Sequence, residues 1–197
     1  MAIVVKPAVE RGKIAPFKMG HVALKVRNLQ EMIKWYGTVL EAEISYANDD
    51  VAFMAYDDEP HRIALVKLPE LELPAENATG MDHCSFSYKD LGELLASYKR
   101  IKATGIEPFW CIIHGPSTSM YYKDPDGNKI ELMIDNFETQ QELVDFFDGG
   151  AYEENFMGIM FDPDEMAEKF DAGVPAKELT KRGTLPDGMS PWDMLRS

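Results

Sequence analysis

His21, in the run GHVALKV, and His83, in DHCSFSY, stand 62 residues apart, and Glu131 interrupts the apolar run of NKIELMI. Imidazole nitrogen and carboxylate oxygen are both good ligands for first-row divalent metals. Two histidines and one carboxylate gathered on one face of an ion leave up to three coordination positions open. That openness suits a non-haem Fe(II) that must accept a chelating substrate and O2 together. A lone histidine is more often a hydrogen-bonded core residue than a ligand; what favours a metal here is that the two histidines hold the same place in an internal repeat.

The repeat supplies the elements that must position these groups. GHVALKVRNLQEMIKWYGTVLEAEI from Gly20 lies over DHCSFSYKDLGELLASYKRIKATGI from Asp82 without a gap, so His21 falls on His83, Asn28 on Asp90, Leu29 on Leu91 and Tyr36 on Tyr98. Each copy opens with an alternating strand. Asn28 or Asp90 then serves as N-cap to a helix whose apolar positions recur at helical spacing. Three β-like runs follow in each copy, over about Glu41 to Tyr46, Val51 to Tyr56 and His61 to Leu68, then Glu107 to Ile113, Ser117 to Lys123 and Asn128 to Ile134. The pattern is βαβββ, twice, which predicts an α+β fold; if the two paired βαβββ modules form a curved sheet around a common cleft, that cleft is where a metal would be held. By strand parity His21 and His83 point away from their helices, and Glu131 sits opposite Ile130, Leu132 and Ile134. If the modules pair about a pseudo-twofold axis, the three can converge. At the turn before Glu131, Asp-Pro-Asp-Gly fixes φ at Pro125 and offers a positive φ at Gly127, as a hairpin connection needs.

The expected boundaries are an N-terminal arm over 1–17, the repeat over 18–136 (modules 18–70 and 80–136), and an acidic C-terminal extension over 137–197 containing short amphipathic helices. The net charge is −14, with 14 acidic and 5 basic residues from Phe137 onward. Such a surface disfavours nucleic acid and anionic lipid as partners. No apolar run is long enough to span a bilayer and no secretory signal is evident, so a cytoplasmic location is expected. Cys84 and Cys111 are too few for a disulfide scaffold and read as reduced core residues.

The stretch from Ile112 to Glu131 carries a longer pattern: Ile112 two before His114, then Met120-Tyr121, then Asp124-Pro125-x-Gly127 and Glu131. This resembles the signature of the type I extradiol ring-cleaving dioxygenases of the vicinal oxygen chelate (glyoxalase/bleomycin resistance/dioxygenase) superfamily. The resemblance spans about residues 18–136. It implies Fe(II), less often Mn(II), held by His21, His83 and Glu131. It further implies that His114 and Tyr121 orient and help ionise the substrate, and that His61, before Arg62-Ile-Ala-Leu65, is an acid–base group. Strict alternation back from Ala64 would turn His61 to the helix side unless the strand begins or bulges there.

The reaction so implied is insertion of O2 into a catechol-type ring beside its diol. The expected partners are a small aromatic diol and O2, with a homo-oligomeric assembly. Two readings compete. A glyoxalase-like isomerase or epimerase commonly draws a fourth ligand from the last strand of the first module, where this chain has Ala64; a metal-free binding protein of the same fold typically lacks the three ligands. Met54, Tyr56, Phe109 and Trp110 are equally candidates for a pocket wall and for the core.

Overall fold

The computed structural model describes residues 2–75 and 78–196. The chain packs as two compact units. The first comprises residues 8–82 and 123–129, and the second comprises the described residues of 1–7, 83–122 and 130–197.

In the first unit, β1 (Val22–Val26), α1 (Leu29–Leu40), β2 (Glu43–Ala47), β3 (Val51–Ala55) and β4 (Ile63–Lys67) form a βαβββ module. Its four-stranded sheet has the order β1-β4-β3-β2, with β1 parallel to β4 and the other pairs antiparallel. The second unit repeats the motif with β5 (His83–Ser87), α2 (Leu91–Lys102), β6 (Trp110–Ile113), β7 (Ser117–Lys123) and β8 (Lys129–Asp135). The two helices begin and end at the repeat offset. Each is capped as its sequence requires, since Asn28 accepts from the Glu31 amide and Asp90 from the Glu93 amide. Their apolar stripes (Leu29, Met32, Tyr36 and Val39; Leu91, Leu94, Leu95, Tyr98 and Ile101) are buried. On β1 the alternation predicted from sequence is present: Leu24 and Val26 are buried while Ala23 and Lys25 are exposed.

Three differences from the sequence expectation have local causes. The last strand of the first module begins at Ile63, not His61. Its approach is occupied by a turn in which Arg62 Nε binds the Asp57 carboxylate at 2.9 Å and Arg62 Nη1 reaches the carbonyls of Met19 and Gly20. In the second module the first strand after the helix begins only at Trp110, past Pro108, which has no amide to give a ladder. Finally, the segment after Asn136 contributes more than helices. Besides α3 (Gln140–Asp148), α4 (Ala151–Glu154), α5 (Pro163–Asp171) and α6 (Ala176–Leu179), it holds a short strand, β9 (Ile159–Met160). β9 pairs antiparallel with β6 through Ile112↔Met160 and Ile113↔Ile159 and completes a five-stranded sheet of order β5-β8-β7-β6-β9.

The Asp-Pro-Asp-Gly turn packs with the first unit. Gly127 has φ +82° as predicted, and its amide closes the turn onto the Asp124 carbonyl at 2.9 Å. Asp124, 4% exposed, accepts from the Asp126 and Asn128 amides, from Asn128 Nδ2, and from the hydroxyl of Tyr36 on α1 at 3.1 Å. Burial pushes its carboxyl pKa up, against the pull of these donors. Arg27 Nε meets Asp126 at 2.6 Å, so both acidic residues of the turn are held by the first module.

Candidate functional site

Glu131 is the third residue of β8 and is 6% exposed. Period-two geometry separates it from Ile130 and Leu132, yet all three are buried, while Lys129 and Met133 on the side of Glu131 are half-buried; β8 runs between β5 and β7. A carboxylate in such a place must be paired. His83, at the start of β5, brings Nε2 to 3.2 Å from Glu131 Oε2, and the Tyr121 hydroxyl on β7 lies 2.8 Å from Oε1. Burial opposes the charge, but hydrogen bonds from His83, Ser119, Ser85 and Tyr121 prevail and hold the Glu131 carboxyl down at about 2. Glu131 is therefore ionised at neutral pH.

Behind Tyr121 stands His114, just past the end of β6. Its Nε2 is 3.1 Å from the Tyr121 oxygen and its Nδ1 meets the carbonyl of Met157. A carbonyl only accepts, so Nδ1 carries the proton and, in the neutral ring, Nε2 is left with the lone pair. Burial lowers the His114 pKa, which favours that neutral ring. Trp110 stacks on Tyr121 with ring centroids 4.6 Å apart and meets His114 edge-on at 5.7 Å. The second unit thus lines up Met157, His114, Tyr121, Glu131 and His83 beside an indole; Tyr121 has one proton, given either to Glu131, as here, or to the His114 Nε2 lone pair 3.1 Å away.

The first unit brings the remaining two histidines together. His21, exposed just ahead of β1, and His61 have ring centroids 4.9 Å apart. His61 sits in the turn before β4, so the parity objection to it does not arise; its Nδ1 lies 2.8 Å from Glu59, whose other oxygen holds Lys18 at 2.8 Å. Phe53 lies edge-on to His61 at 6.3 Å. Among the described residues, no three His, Cys, Asp or Glu side chains are gathered as a metal-holding group. Of the possible wall residues, Met54 and Trp110 are both buried in the core, Trp110 beside Tyr121 and His114, Phe109 is half-buried against the same cluster, and Tyr56 is exposed.

Sequence reasoning did not find the groups that anchor His114 from the far end of the chain. Asn155, Met157, Gly158 and Arg182 surround its backbone and Nδ1. The available signal was the apolar run Phe156 to Phe161, broken by Gly158, which has the composition of a short strand rather than of a helix.

The chain resembles known proteins at three levels. Residues 18–132 match the family described as the glyoxalase/bleomycin resistance protein/dioxygenase superfamily. It is 40% identical to biphenyl-2,3-diol 1,2-dioxygenase 2 of Rhodococcus globerulus over 185 residues, covering 91% of this chain and 97% of that protein. It is likewise 40% identical to biphenyl-2,3-diol 1,2-dioxygenase 3 of the same organism over 167 residues, covering 84% of this chain and 88% of that protein. Among solved structures, a glyoxalase/bleomycin resistance protein/dioxygenase domain from a Frankia species shares the fold with a TM-score of 0.53 at 22% identity, covering 61% of this chain and 99% of that one.

Proposed function

Because the chain belongs to the glyoxalase/bleomycin resistance protein/dioxygenase superfamily, we propose that it is an extradiol dioxygenase that opens the ring of a catechol-type diol with O2. The observation that carries this reading is the line His83–Glu131–Tyr121–His114, because Glu131 and Tyr121, both buried, and the half-buried His114 are residues of the extradiol signature and His83 is the ligand that the resemblance adds to them. The substrate class we assign is an aromatic diol of the biphenyl-2,3-diol kind, on which its relatives are named as acting.

The metal ligands in this proposal are His21, His83 and Glu131. The donors present fit a divalent ion of the Fe(II) or Mn(II) type: an ionised, buried carboxylate already sits against an imidazole Nε2, and nitrogen with carboxylate oxygen is the donor mixture such ions accept. When bound, the ion supplies Lewis acidity that eases ionisation of the diol and a route for electrons between diol and O2. The rest falls to the chain's own side chains. Tyr121 presents its hydroxyl beside Glu131, where it can orient one diol oxygen. His114, held neutral with its lone pair on Nε2, is placed to receive a proton or to share one with Tyr121. His61, partly exposed beside His21, is the group we assign to exchange of protons with substrate. The stacked Trp110 excludes water from the Tyr121 side of the series.

Oxygen uptake by anaerobically iron-loaded protein, over a panel of monocyclic and bicyclic catechols with absorbance of the ring-opened product followed, tests the proposal. Uptake that disappears in His83→Ala is the expected result. No uptake from protein that holds one Fe(II) per chain would overturn it in favour of isomerase or epimerase chemistry.

A further inference from the structure

His114 does not hold its own position. It follows β6 in a loop whose next residue, Gly115, has φ +110°, and the ring of Phe146 from α3 lies where a Cβ would be, within 2.4 Å of it. The imidazole is aimed by the Met157 carbonyl, and that carbonyl belongs to a turn built by one buried side chain. Asn155 is 4% exposed. Its Oδ1 accepts from the amides of Met157 at 3.1 Å and Gly158 at 2.9 Å, and its Nδ2 donates to the Gly158 carbonyl at 2.9 Å. Three of the four hydrogen-bonding positions of its amide are therefore spent on local backbone. Gly158, at φ +118°, lets that turn press against the end of β6, where a Cβ would meet the Ile113 carbonyl oxygen at 2.4 Å and His114 Cα at 2.8 Å.

A cation locks the same place. Arg182 donates from Nη1 to the carbonyls of Asn155 at 2.6 Å and His114 at 3.3 Å, and from Nη2 to the carbonyl of Ala151 at 2.7 Å. Its guanidinium lies 5.0 Å from the Phe146 ring centroid. Five donors in a rigid plane suit such bridging of several carbonyls, which a lysine would not reproduce. Backbone on both sides of the Met157–His114 hydrogen bond is thereby tied to one side chain.

We propose that Asn155 is the positioning residue for His114: by shaping the Asn155–Gly158 turn it sets the Met157 carbonyl on Nδ1, fixes the Nδ1–H tautomer, and so leaves the Nε2 lone pair facing Tyr121, with Arg182 holding turn and loop in register. The segment beyond Asn136 is in this respect part of the site. Its catalytic consequence rests on the dioxygenase reading; the tautomer does not.

The test uses the full chain, metal-free, with 15N-labelled histidine. In wild type, NMR should show His114 as the Nδ1–H tautomer, its signal assigned by loss in His114→Gln. Asn155→Ala should shift it toward the Nε2–H form, Asn155→Asp, which keeps both acceptor bonds but sets an oxygen against the Gly158 carbonyl in place of Nδ2, should restore it in part, and Arg182→Met should reproduce the shift independently. Asp164→Ala cuts the Tyr98 and Lys102 contacts that tie α5 to α2 and should loosen the extension while leaving the His114 signal unchanged. An Nε2–H tautomer in wild type, an unshifted signal in both Asn155→Ala and Arg182→Met, or an equal shift in Asp164→Ala would overturn the proposal. In iron-loaded protein, kcat of Asn155→Ala should fall about 10–100-fold, with KM within about twofold and bound iron unchanged; an unchanged kcat alongside a shifted tautomer would also overturn it. Absence of turnover in wild type would strike the dioxygenase reading and leave the NMR outcomes to decide the positioning role.

Discussion

Replacing Glu131 by Gln should make the metal-free chain less sensitive to acid. The carboxyl is held at about 2 by its donors, against an ordinary value of 4.5. A difference of about 2.5 units is worth about 3 kcal/mol at 1.36 kcal/mol per unit. The folded-state pKa is the lower one, so the unfolded chain takes up the proton first. The contribution is fully present above pH 4.5 and is lost as pH falls toward 2, with about 2 kcal/mol gone by pH 3. Urea unfolding in the presence of a chelator, at pH 6 and pH 3, measures it. Between those two pH values wild type should lose about 2 kcal/mol more than Glu131→Gln, at equal m-value. If both proteins lose stability in parallel, the carboxylate is not held by His83 and Tyr121 as described, and the site built on it falls.

Tyr36→Phe removes the buried hydroxyl that donates to Asp124; urea unfolding should show a loss of about 1–3 kcal/mol, the cost of a buried hydrogen bond to a carboxylate. Gly158→Ala places a Cβ against the Ile113 carbonyl at positive φ and should cost about 1–3 kcal/mol or more. Hydrogen exchange should then show the amides at the β6–β9 pairing opening before those of α2. His21→Ala, His83→Ala and Glu131→Gln should each lower iron retained after desalting by at least about tenfold, while His61→Ala should retain it; equal loss in all four would refute the assignment of ligands.

The repeat made most of the fold legible. An offset read from His21 and His83 predicted both helices, both caps and the succession of strands, because each copy must bury the same stripe of apolar residues and satisfy the same helix end. Glu131 was legible too, as a polar residue in an apolar strand. What sequence could not show was its burial on an interior strand, since that depends on which strands flank β8. Nor could periodicity find β9: Ile159 and Met160 are too short a strand to show alternation, and they are ordered by pairing with Ile112 and Ile113, nearly fifty residues away. His61 was misplaced in a strand because the Arg62 side chain, bound to Asp57 and to two backbone carbonyls, makes a turn that no local propensity announces.

The asymmetry between the two copies follows from the same particulars. In the repeat, His61 stands over Asn128 and Ala64 over Glu131. At the later position the first copy keeps a small apolar residue, buried in β4 opposite Phe53 and Ala23. The second copy has a carboxylate, and it is there that Ser85, Ser119, Tyr121 and His83 supply donors. A charge on an interior strand is tolerated only where its neighbours have also changed. Ala23, in register with Ala64, offers no donor, whereas Ser85 occupies its repeat position in the second copy. The carboxylate and its hydroxyls are therefore one feature, and Ala64→Glu alone should destabilise the first unit rather than create a fourth ligand. The cost should be several kcal/mol, as expected for a buried charge without partners, measurable as a lowered urea midpoint that bound metal does not recover.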